Sequence, residues 1–301
     1  MTEPAPQWRI WSAVLLTSVG WGTALVVTRV ALAQGLRPLP IVTTTSAIAA
    51  VAVVVFLIAT GQRPSIGPME IRVGVVMSIL SVTLPFVSRS FALQYASAGF
   101  IGLATALVPL VTAVAAHFLL SDEPLRWATI SGLGIALVGV AVLVLSNDSG
   151  LGEAGRPELA GALAMVGVLS VAFGAVYAKR HAGKYSVLGV AGVQFTLGAL
   201  LALGAALAAG DVLGAGSAIG WVSLIYIGLV GTFMPVVLYY WLIRHVTVTY
   251  STIIGYIVPF VAVGVGVIAL GEQIQLGIVV GGAFILTGVV VTDRLRIRES
   301  M

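Results

Sequence analysis

Long apolar runs separated by short polar breaks dominate this chain. Each run holds roughly 20 mostly apolar residues, the length that an α-helix needs to cross the hydrocarbon core of a bilayer. Ten such runs lie at about 10–33, 39–60, 70–92, 98–120, 127–146, 159–179, 187–209, 218–243, 249–270 and 275–293. The breaks carry turn-forming or charged residues, as in Gly61-Gln-Arg-Pro64 and Gly271-Glu-Gln273. The pattern predicts an all-α membrane protein with ten transmembrane helices.

The second half of the chain echoes the first at a spacing of about 150 positions. Pro85 is echoed by Pro235, Pro109 by Pro259 and Glu123 by Glu272, and glycines follow the same rule. The longest break, residues 146–158, has the composition of a linker, so we predict one repeat over 1–148 and a second over 149–301. Each repeat holds five predicted helices. Because five is odd, the second repeat is predicted to lie inverted in the membrane, an arrangement that suits alternating access.

Composition and charge narrow the class of protein. Hydrophobic residues make up 59% of the chain and charged residues only 9%, against about 25% charged in an ordinary soluble domain. There are no cysteines, which excludes disulfides and thiolate metal sites. The net charge of +4 is spread over helix ends instead of one stripe, so we predict no nucleic-acid partner. No cofactor and no metal are predicted, and no catalytic constellation indicates an enzyme.

The distribution of Lys and Arg predicts the orientation, because cytoplasmic loops are rich in these residues. With both termini in the cytoplasm, only Arg37 and Arg156 fall in outer loops, and Arg29 and Arg89 lie near the outer ends of helices one and three. All the others fall on the inner side: Arg9, Arg63, Arg72, Arg126, Lys179, Arg180, Lys184, Arg244, Arg294, Arg296 and Arg298. The opposite orientation reverses this bias.

An ordered set of short motifs, present twice, resembles the EamA domain of the drug/metabolite transporter superfamily. The first copy has Phe91-Ala-Leu-Gln-Tyr95, then Ala106-Leu-Val-Pro109, Leu120-Ser-Asp-Glu123 and Gly132 to Gly139; the second has Tyr240-Trp-Leu-Ile-Arg244, then Tyr256-Ile-Val-Pro259, Leu270-Gly271-Glu272 and Gly281 to Gly288. Trp21-Gly22 in helix one also matches. The resemblance covers nearly the whole chain and implies a multi-pass exporter of small metabolites in a bacterial inner membrane. Amino-acid exporters of the YddG kind are the comparison that we offer.

The resemblance also implies a central cavity lined by helices 1–4 and 6–9. Spacing places Thr105 and Pro109 on one face of helix four, and Tyr256 and Pro259 on one face of helix nine. A proline inside a helix frees a carbonyl that protein or cavity water must satisfy. Pro109 and Pro259 are therefore candidates for kinks beside a polar cavity, or else for simple packing kinks.

Aromatic and hydroxyl side chains complete the predicted substrate site. Trp21, Phe173 and Tyr177 lie too deep in their helices for the interfacial belt. They could hold an apolar substrate side chain, although Trp21 could also pack against a neighbouring helix. Candidate hydrogen-bonding partners for the substrate are Ser81, Thr105, Ser170 and Thr232.

The charges within the predicted spans bear on energy coupling. No Asp or Glu falls in the middle of a span, which favours facilitated export over coupling through a buried acid. Arg29 and Arg89 either reach out to the interface or act as gating residues that contact a substrate carboxylate. The prediction is an alternating-access exporter of hydrophobic or aromatic amino acids, methionine or threonine; a proton-coupled efflux carrier for a drug or another metabolite and a channel are the alternatives.

Small residues mark helix packing. Gly277 and Gly281 form a GxxxG pattern in helix ten, and Ala128 and Gly132 a similar one in helix five. The two helices either pack together within one chain or form a homodimer.

Overall fold

The computed structural model describes residues 6–62, 66–120, 127–211, 216–245 and 248–298, and these residues form helices and no strands. The helices are α1 (Gln7–Ala33), α2 (Pro38–Ala59), α3 (Pro68–Met77), α4 (Leu84–Ala92), α5 (Ala98–Thr105), α6 (Val108–Leu119), α7 (Trp127–Leu145), α8 (Pro157–Arg180), α9 (Val187–Ala208), α10 (Ala218–Gly228), α11 (Met234–His245), α12 (Val248–Leu270) and α13 (Leu276–Arg298). Each predicted apolar run coincides with one helix or with two consecutive helices. Eight helical stretches are long and apolar enough to cross a membrane, and α7 and α13 contribute two shorter apolar stretches.

A π-helical segment interrupts the third and the eighth predicted span at matching places. The first π segment, Ser78–Thr83, joins α3 to α4, and the second, Leu229–Phe233, joins α10 to α11. In each case a proline, Pro85 or Pro235, follows the segment by two residues. Proline has no N–H and cannot complete the helical hydrogen-bond ladder, so the wider π turn sits where the ladder is broken. Such segments recur at functional sites.

The fourth predicted span is broken at its proline. The helix leaves its regular course at Ala106 and Leu107, and Pro109 stands in the first turn of α6. Its counterpart Pro259 lies inside α12, which continues through it. The predicted kink is therefore a true break in the N-terminal half, whereas the C-terminal half keeps one helix.

The loops define two ends of the bundle. We call the end at which α1 begins the terminal end and the opposite one the distal end. At the distal end the loops are tied to one another: the Ser97 N–H donates to the carbonyl of Ser149 at 2.8 Å, and Arg37 Nη1 lies 2.6 Å from Asp211 Oδ1. Ser149 is fully buried, so the segment that has linker composition is an integral part of the distal end.

The two halves of the chain interlock instead of standing side by side. Helix α1 packs between α11 and α12, α2 packs against α9, and α4 packs against α8. The largest cluster of buried side chains draws on both halves, with Leu25, Phe100 and Leu107 from the first and Ala262 and Ile285 from the second. Burial of this cluster holds the halves together.

Helices α7 and α13 form a closely packed pair through glycines that face each other. A Cβ atom at Gly139 would stand 2.6 Å from the carbonyl oxygen of Gly281, and a Cβ at Gly281 would stand 2.8 Å from that of Gly139. Gly132 and Gly288 meet in the same way. Small residues allow this backbone-to-backbone approach. The predicted glycine patterns thus allow α7 and α13 to pack together within one chain. A homodimer through the same helices stays a prediction.

Candidate functional site

Helix α1 reaches the middle of the bundle because two of its glycines let neighbouring helices approach its backbone. A Cβ at Gly20 would lie 2.6 Å from the carbonyl oxygen of Val230, and a Cβ at Gly22 would lie 2.7 Å from Cβ of Val261. The first contact is with the second π segment and the second is with α12. Trp21 stands between these glycines, so its indole is placed where the two helices converge on α1.

Trp21 packs against a neighbouring helix, which is one of the two roles predicted for it. Its ring centroid lies 5.7 Å from that of Tyr239 on α11, with the planes tilted by 49°. It also packs against the buried cluster that includes Val14 and Ile254, yet it keeps part of its surface exposed. A second aromatic, Tyr226 on α10, approaches α1 two residues nearer the distal end, where its Oη lies 2.9 Å from Thr23 Oγ1. Tyr226, Tyr239 and Thr23 were not singled out in the sequence analysis. The repeat could have identified Tyr239, because it lies 150 positions after Arg89.

Each predicted proline lies beside a glycine of the other half. A Cβ at Gly102 would lie 3.5 Å from Cα of Pro259, and a Cβ at Gly255 would lie 3.9 Å from Cγ of Pro109. Thr105 donates from Oγ1 to the Gly102 carbonyl at 2.7 Å. Tyr256 packs against the main buried cluster. The helices that carry the two predicted stripes therefore touch across the boundary between the halves.

The predicted hydroxyl Ser170 serves the backbone of the first π segment. In a π turn the amide of residue 85 would bond the carbonyl of Leu80, but Pro85 has no N–H. Ser170 Oγ donates to that Leu80 carbonyl at 2.8 Å. Ser81, in the same segment, lies 3.6 Å from the sulfur of Met77, and Thr232 is buried in the second π segment.

The corresponding place in the other half is built differently. Val230 follows Leu80 by 150 positions, and Ser170 follows Gly20 by 150 positions. The freed carbonyl of Val230 faces the backbone of Gly20, which has no side chain to donate a hydrogen bond. At this position of the repeat, α8 has a serine whose hydroxyl bridges to the first π segment, whereas α1 has a glycine. Helix α1 therefore approaches the second π segment with no side chain between them.

Two predicted site residues on α8 are separated from the group around Trp21. Phe173 is 44% exposed and continues an exposed stripe with Leu159, Val166 and Leu169. The residues of α8 that pack on α4 and the first π segment, such as Gly167 and Gly174, lie on another face. Tyr177 stacks on His181 at 4.5 Å between ring centroids and packs with Val73 and Val190 near the terminal end.

A charged network closes the distal end. Arg29 Nη1 donates to the carbonyls of Leu93 at 2.8 Å and Ala96 at 3.3 Å, and its Nε lies 3.3 Å from Glu272 Oε1 without hydrogen-bond alignment. Both carboxylate oxygens of Glu272 accept from the Ala98 N–H, at 2.9 and 3.1 Å. Ala98 begins α5, so the carboxylate caps that helix with favourable charge at its N-terminus. Arg29 does not reach out to the interface; it ties α1 and the α4–α5 loop to the C-terminal half.

A second carboxylate joins the halves at the terminal end. Glu70 accepts from the N–H of Ser186 at 2.7 Å, and Ser186 is the N-cap residue of α9. Glu70 also accepts from the Gly67 N–H at 3.0 Å, which starts its own helix. Sequence reasoning did not single out Glu70, because a carboxylate in the first turn of a helix is common. Glu123, the residue that Glu272 echoes, lies outside the described residues.

Arg89 differs from Arg29 in having no anionic partner among the described residues. Its Cζ lies 4.8 Å from the ring centroid of Phe86, one turn earlier in the helix. Its helical neighbours Pro85, Ala92 and Leu93 are buried, yet Arg89 keeps part of its surface exposed. That surface therefore belongs to a space inside the bundle.

A groove of about 650 Å³ lies elsewhere, between α2 and the second π segment. Its walls are apolar apart from Thr44 and include Ile48, Val55, Phe56 and Phe233. None of the predicted site residues lines it. The groove shares only Leu229 and Phe233 with the second π segment. We therefore place the candidate site on the other side of that segment, at the boundary between the halves, around Trp21, Tyr239, the first π segment and Arg89.

Comparisons with known proteins agree with this architecture. The EamA-like transporter family model matches residues 8–145 and 159–292. The inner-membrane transporter YedA of Escherichia coli K12, described as uncharacterized, is 25% identical over 286 residues, which cover 92% of this chain and 90% of YedA. The YedA proteins of two further E. coli strains match equally. One solved structure, described only as the crystal structure of a protein, aligns with a TM-score of 0.63 and 21% identity over 94% of this chain and 99% of its own, which supports the fold alone.

Proposed function

This chain belongs to the EamA-like transporter family, and from that premise we propose that it exports amino acids or similar small metabolites from the cytoplasm. It is a multi-pass membrane protein and a transporter, not an enzyme. In this proposal all ten helical stretches cross the membrane and both termini are cytoplasmic, as the Lys and Arg distribution favours. The distal end is then periplasmic. The inner membrane named for YedA is the proposed location here too.

The observation that carries the proposal is the meeting of both halves around one partly exposed aromatic and polar group. Trp21 and Tyr239 offer an apolar surface, Thr23 and Tyr226 offer hydroxyls, and the π segments place broken backbone ladders beside them. A mostly apolar site with a few polar groups suits a small molecule with an apolar side chain. Transporters built from inverted repeats place their site at such a boundary.

The proposed mechanism is alternating access. The network of Arg29, Glu272 and Ala98 holds the distal end closed, and the contacts of α5 with α12 reinforce it. Export requires these contacts to open while those at the terminal end close. Matching π segments in the two halves supply symmetric places at which the long helices can bend.

Energy coupling separates the proposed function from its alternative. No described carboxylate lies in the middle of a helix that holds a site residue, which supports facilitated or weakly coupled export. The alternative is proton-coupled efflux of a drug or another metabolite. The position of Glu272 favours it, since this carboxylate is buried and lies 3.3 Å from Arg29 at the distal end.

Counterflow in proteoliposomes tests the proposal. Vesicles are loaded with unlabelled amino acids, and entry of labelled methionine, phenylalanine and threonine is followed with and without a pH gradient. Entry without any gradient is the expected result. Entry that needs the gradient favours the proton-coupled alternative, no entry of any amino acid contradicts the substrate class, and single-channel currents would identify a channel.

A further inference from the structure

We infer that Arg89 is the anion-binding group of the substrate site, and that the carrier recognises organic acids by their carboxylate while the α-amino group is dispensable. This inference rests on the proposed function and deepens it. It assigns Arg29 and Arg89, which the sequence could not tell apart, to two different tasks.

The guanidinium of Arg89 points into the bundle. A side chain near the distal end of α4 could reach the interface only by extending toward the end of its helix. Instead, Cζ lies over the ring of Phe86, which is one turn deeper. Helical side chains lean toward the N-terminus of their helix, and for α4 that direction leads away from the distal end.

The charge of Arg89 has no counter-ion among the described residues. Arg29 is occupied by two carbonyls and Glu272, and Arg37 is paired with Asp211. Arg89 has only the face of Phe86, which attracts a cation weakly compared with an anion. An unpaired charge inside a membrane protein is costly, and such residues mark binding sites by default. The exposed part of the guanidinium is therefore open to a ligand.

The ligand class follows from the chemistry of the guanidinium and of its surroundings. A guanidinium presents paired N–H donors that match the two oxygens of a carboxylate. The buried carboxylate at this end, Glu272, is already engaged by Arg29 and the Ala98 N–H, so it is not free to receive an ammonium group. Tyr239, the repeat counterpart of Arg89, pairs with Trp21. The site thus offers a cationic group toward the distal end and an aromatic pair toward the terminal end, which fits a carboxylate with an apolar tail.

Competition between substrate analogues tests the ligand class on the unmodified protein. Counterflow of labelled phenylalanine is measured against unlabelled 3-phenylpropionate, which lacks the amine, and against 2-phenylethylamine, which lacks the carboxylate. If methionine is the better tracer, 4-(methylthio)butanoate and 3-(methylthio)propylamine replace them. The acid should compete within about threefold of the amino acid itself, and the amine should compete at least tenfold more weakly, since a charge-assisted bond contributes roughly a factor of ten or more.

Variants test the assignment to Arg89. Arg89→Gln should raise the half-saturating concentration roughly ten- to a hundredfold, leave the rate at saturation less affected, and remove the preference for the acid over the amine. Arg89→Lys keeps the charge and should retain part of the preference. Arg37→Gln is the matched control, because Arg37 is an exposed arginine paired with Asp211 at the distal end.

The outcomes separate this inference from the proposed function. If phenylalanine is transported but the amine competes as well as the acid, or Arg89→Gln behaves as the wild type, the inference is overturned and the function stands. If the wild type transports no amino acid and no analogue, both are overturned. Should Arg89→Gln fail to fold, the analogue series on the wild type and Arg89→Lys still decide.

Discussion

Single polar side chains in this bundle form hydrogen bonds with backbone groups that would otherwise lack a partner. Ser170 donates to the carbonyl that Pro85 leaves without a partner, and Glu272 caps the first residue of α5. Both sit where a reading of the sequence expects substrate contacts or loop charges. Their contacts instead satisfy backbone groups that the helical hydrogen-bond ladder leaves without a partner. Such unpaired groups are costly in a low-dielectric interior.

Ser170→Ala should lower the stability of the protein by about 1–3 kcal/mol, because it leaves the partly buried Leu80 carbonyl without a donor. Ser223→Ala is the matched control, since Ser223 Oγ bonds the Ile219 carbonyl of its own helix, which already has the helical ladder. Thermal unfolding in detergent measures both. Equal midpoints for the two variants would show that the Ser170 contact contributes nothing of its own.

Glu272→Gln should loosen the distal end, because the amide keeps an acceptor for the Ala98 N–H but loses the charge that faces Arg29. The chain has no cysteines, so Thr105→Cys provides a single reporter. Labelling by an impermeant maleimide from the distal side should accelerate about tenfold, the factor that corresponds to 1.4 kcal/mol. Asp148→Asn, at the N-terminal cap of α13, is the control, and an unchanged labelling rate would remove Glu272 from the closure.

The sequence was more informative about which positions are important than about the roles of the residues there. The echoes in the repeat marked Glu272, which the structure uses at the distal end, and Pro85 and Pro235, which follow the π segments. Ala98 lies 174 positions from Glu272, and Ser170 lies 90 positions from Leu80, the carbonyl that Pro85 leaves free. A single sequence carries no record of which distant positions meet, so the roles required the fold.

The pattern of apolar residues was most informative about the helices. Every predicted run has its helix, because a run of about 20 apolar residues has few other ways to satisfy its backbone in a membrane. The pattern could not place the π segments, since a wider turn changes the helical register without changing composition. Nor could it show that Phe173 lies on an exposed stripe while Trp21 lies between helices, because both are aromatic residues deep in apolar helices.

Gly139→Ala should destabilise the α7–α13 pair by about 1–3 kcal/mol, because the new methyl group would overpack a backbone contact. Its Cβ would lie 2.6 Å from one backbone atom of α13 and 2.7 Å from another. Gly134→Ala, in the same helix with open space around it, should be neutral or stabilising by up to about 1 kcal/mol. Thermal unfolding of the two variants should therefore shift in opposite directions, and a parallel shift would contradict the proposed packing role.

Contacts between the two halves hold the whole molecule together. Any motion of one half relative to the other must therefore break some of these contacts. At the distal end α5 and α12 touch directly, since a Cβ at Gly99 would lie 3.4 Å from Cβ of Val263. This is close to the Cβ separation of a disulfide, about 3.5–4.5 Å. The end that opens in the proposed alternating-access mechanism can therefore be locked at a defined point.

The double variant Gly99→Cys with Val263→Cys should form a disulfide under mild oxidation and stop transport, and a reductant should restore it. The physical reason is that the bridge joins the helices whose separation opens the distal end. Each single variant under the same oxidation is the control. Transport that continues at the wild-type rate with the bridge fully formed would contradict alternating access through this end.

Each half of the chain helps to complete a helix of the other half. Glu272 accepts from the first N–H of α5 in the N-terminal half, and Glu70 accepts from the N–H of Ser186 at the start of α9 in the C-terminal half. The side-chain caps of Ser97 and Ser186 belong to the same half as the helices that they cap. A half expressed alone would therefore keep those caps and lose the carboxylate, so its helix starts would be complete only when the other half is bound.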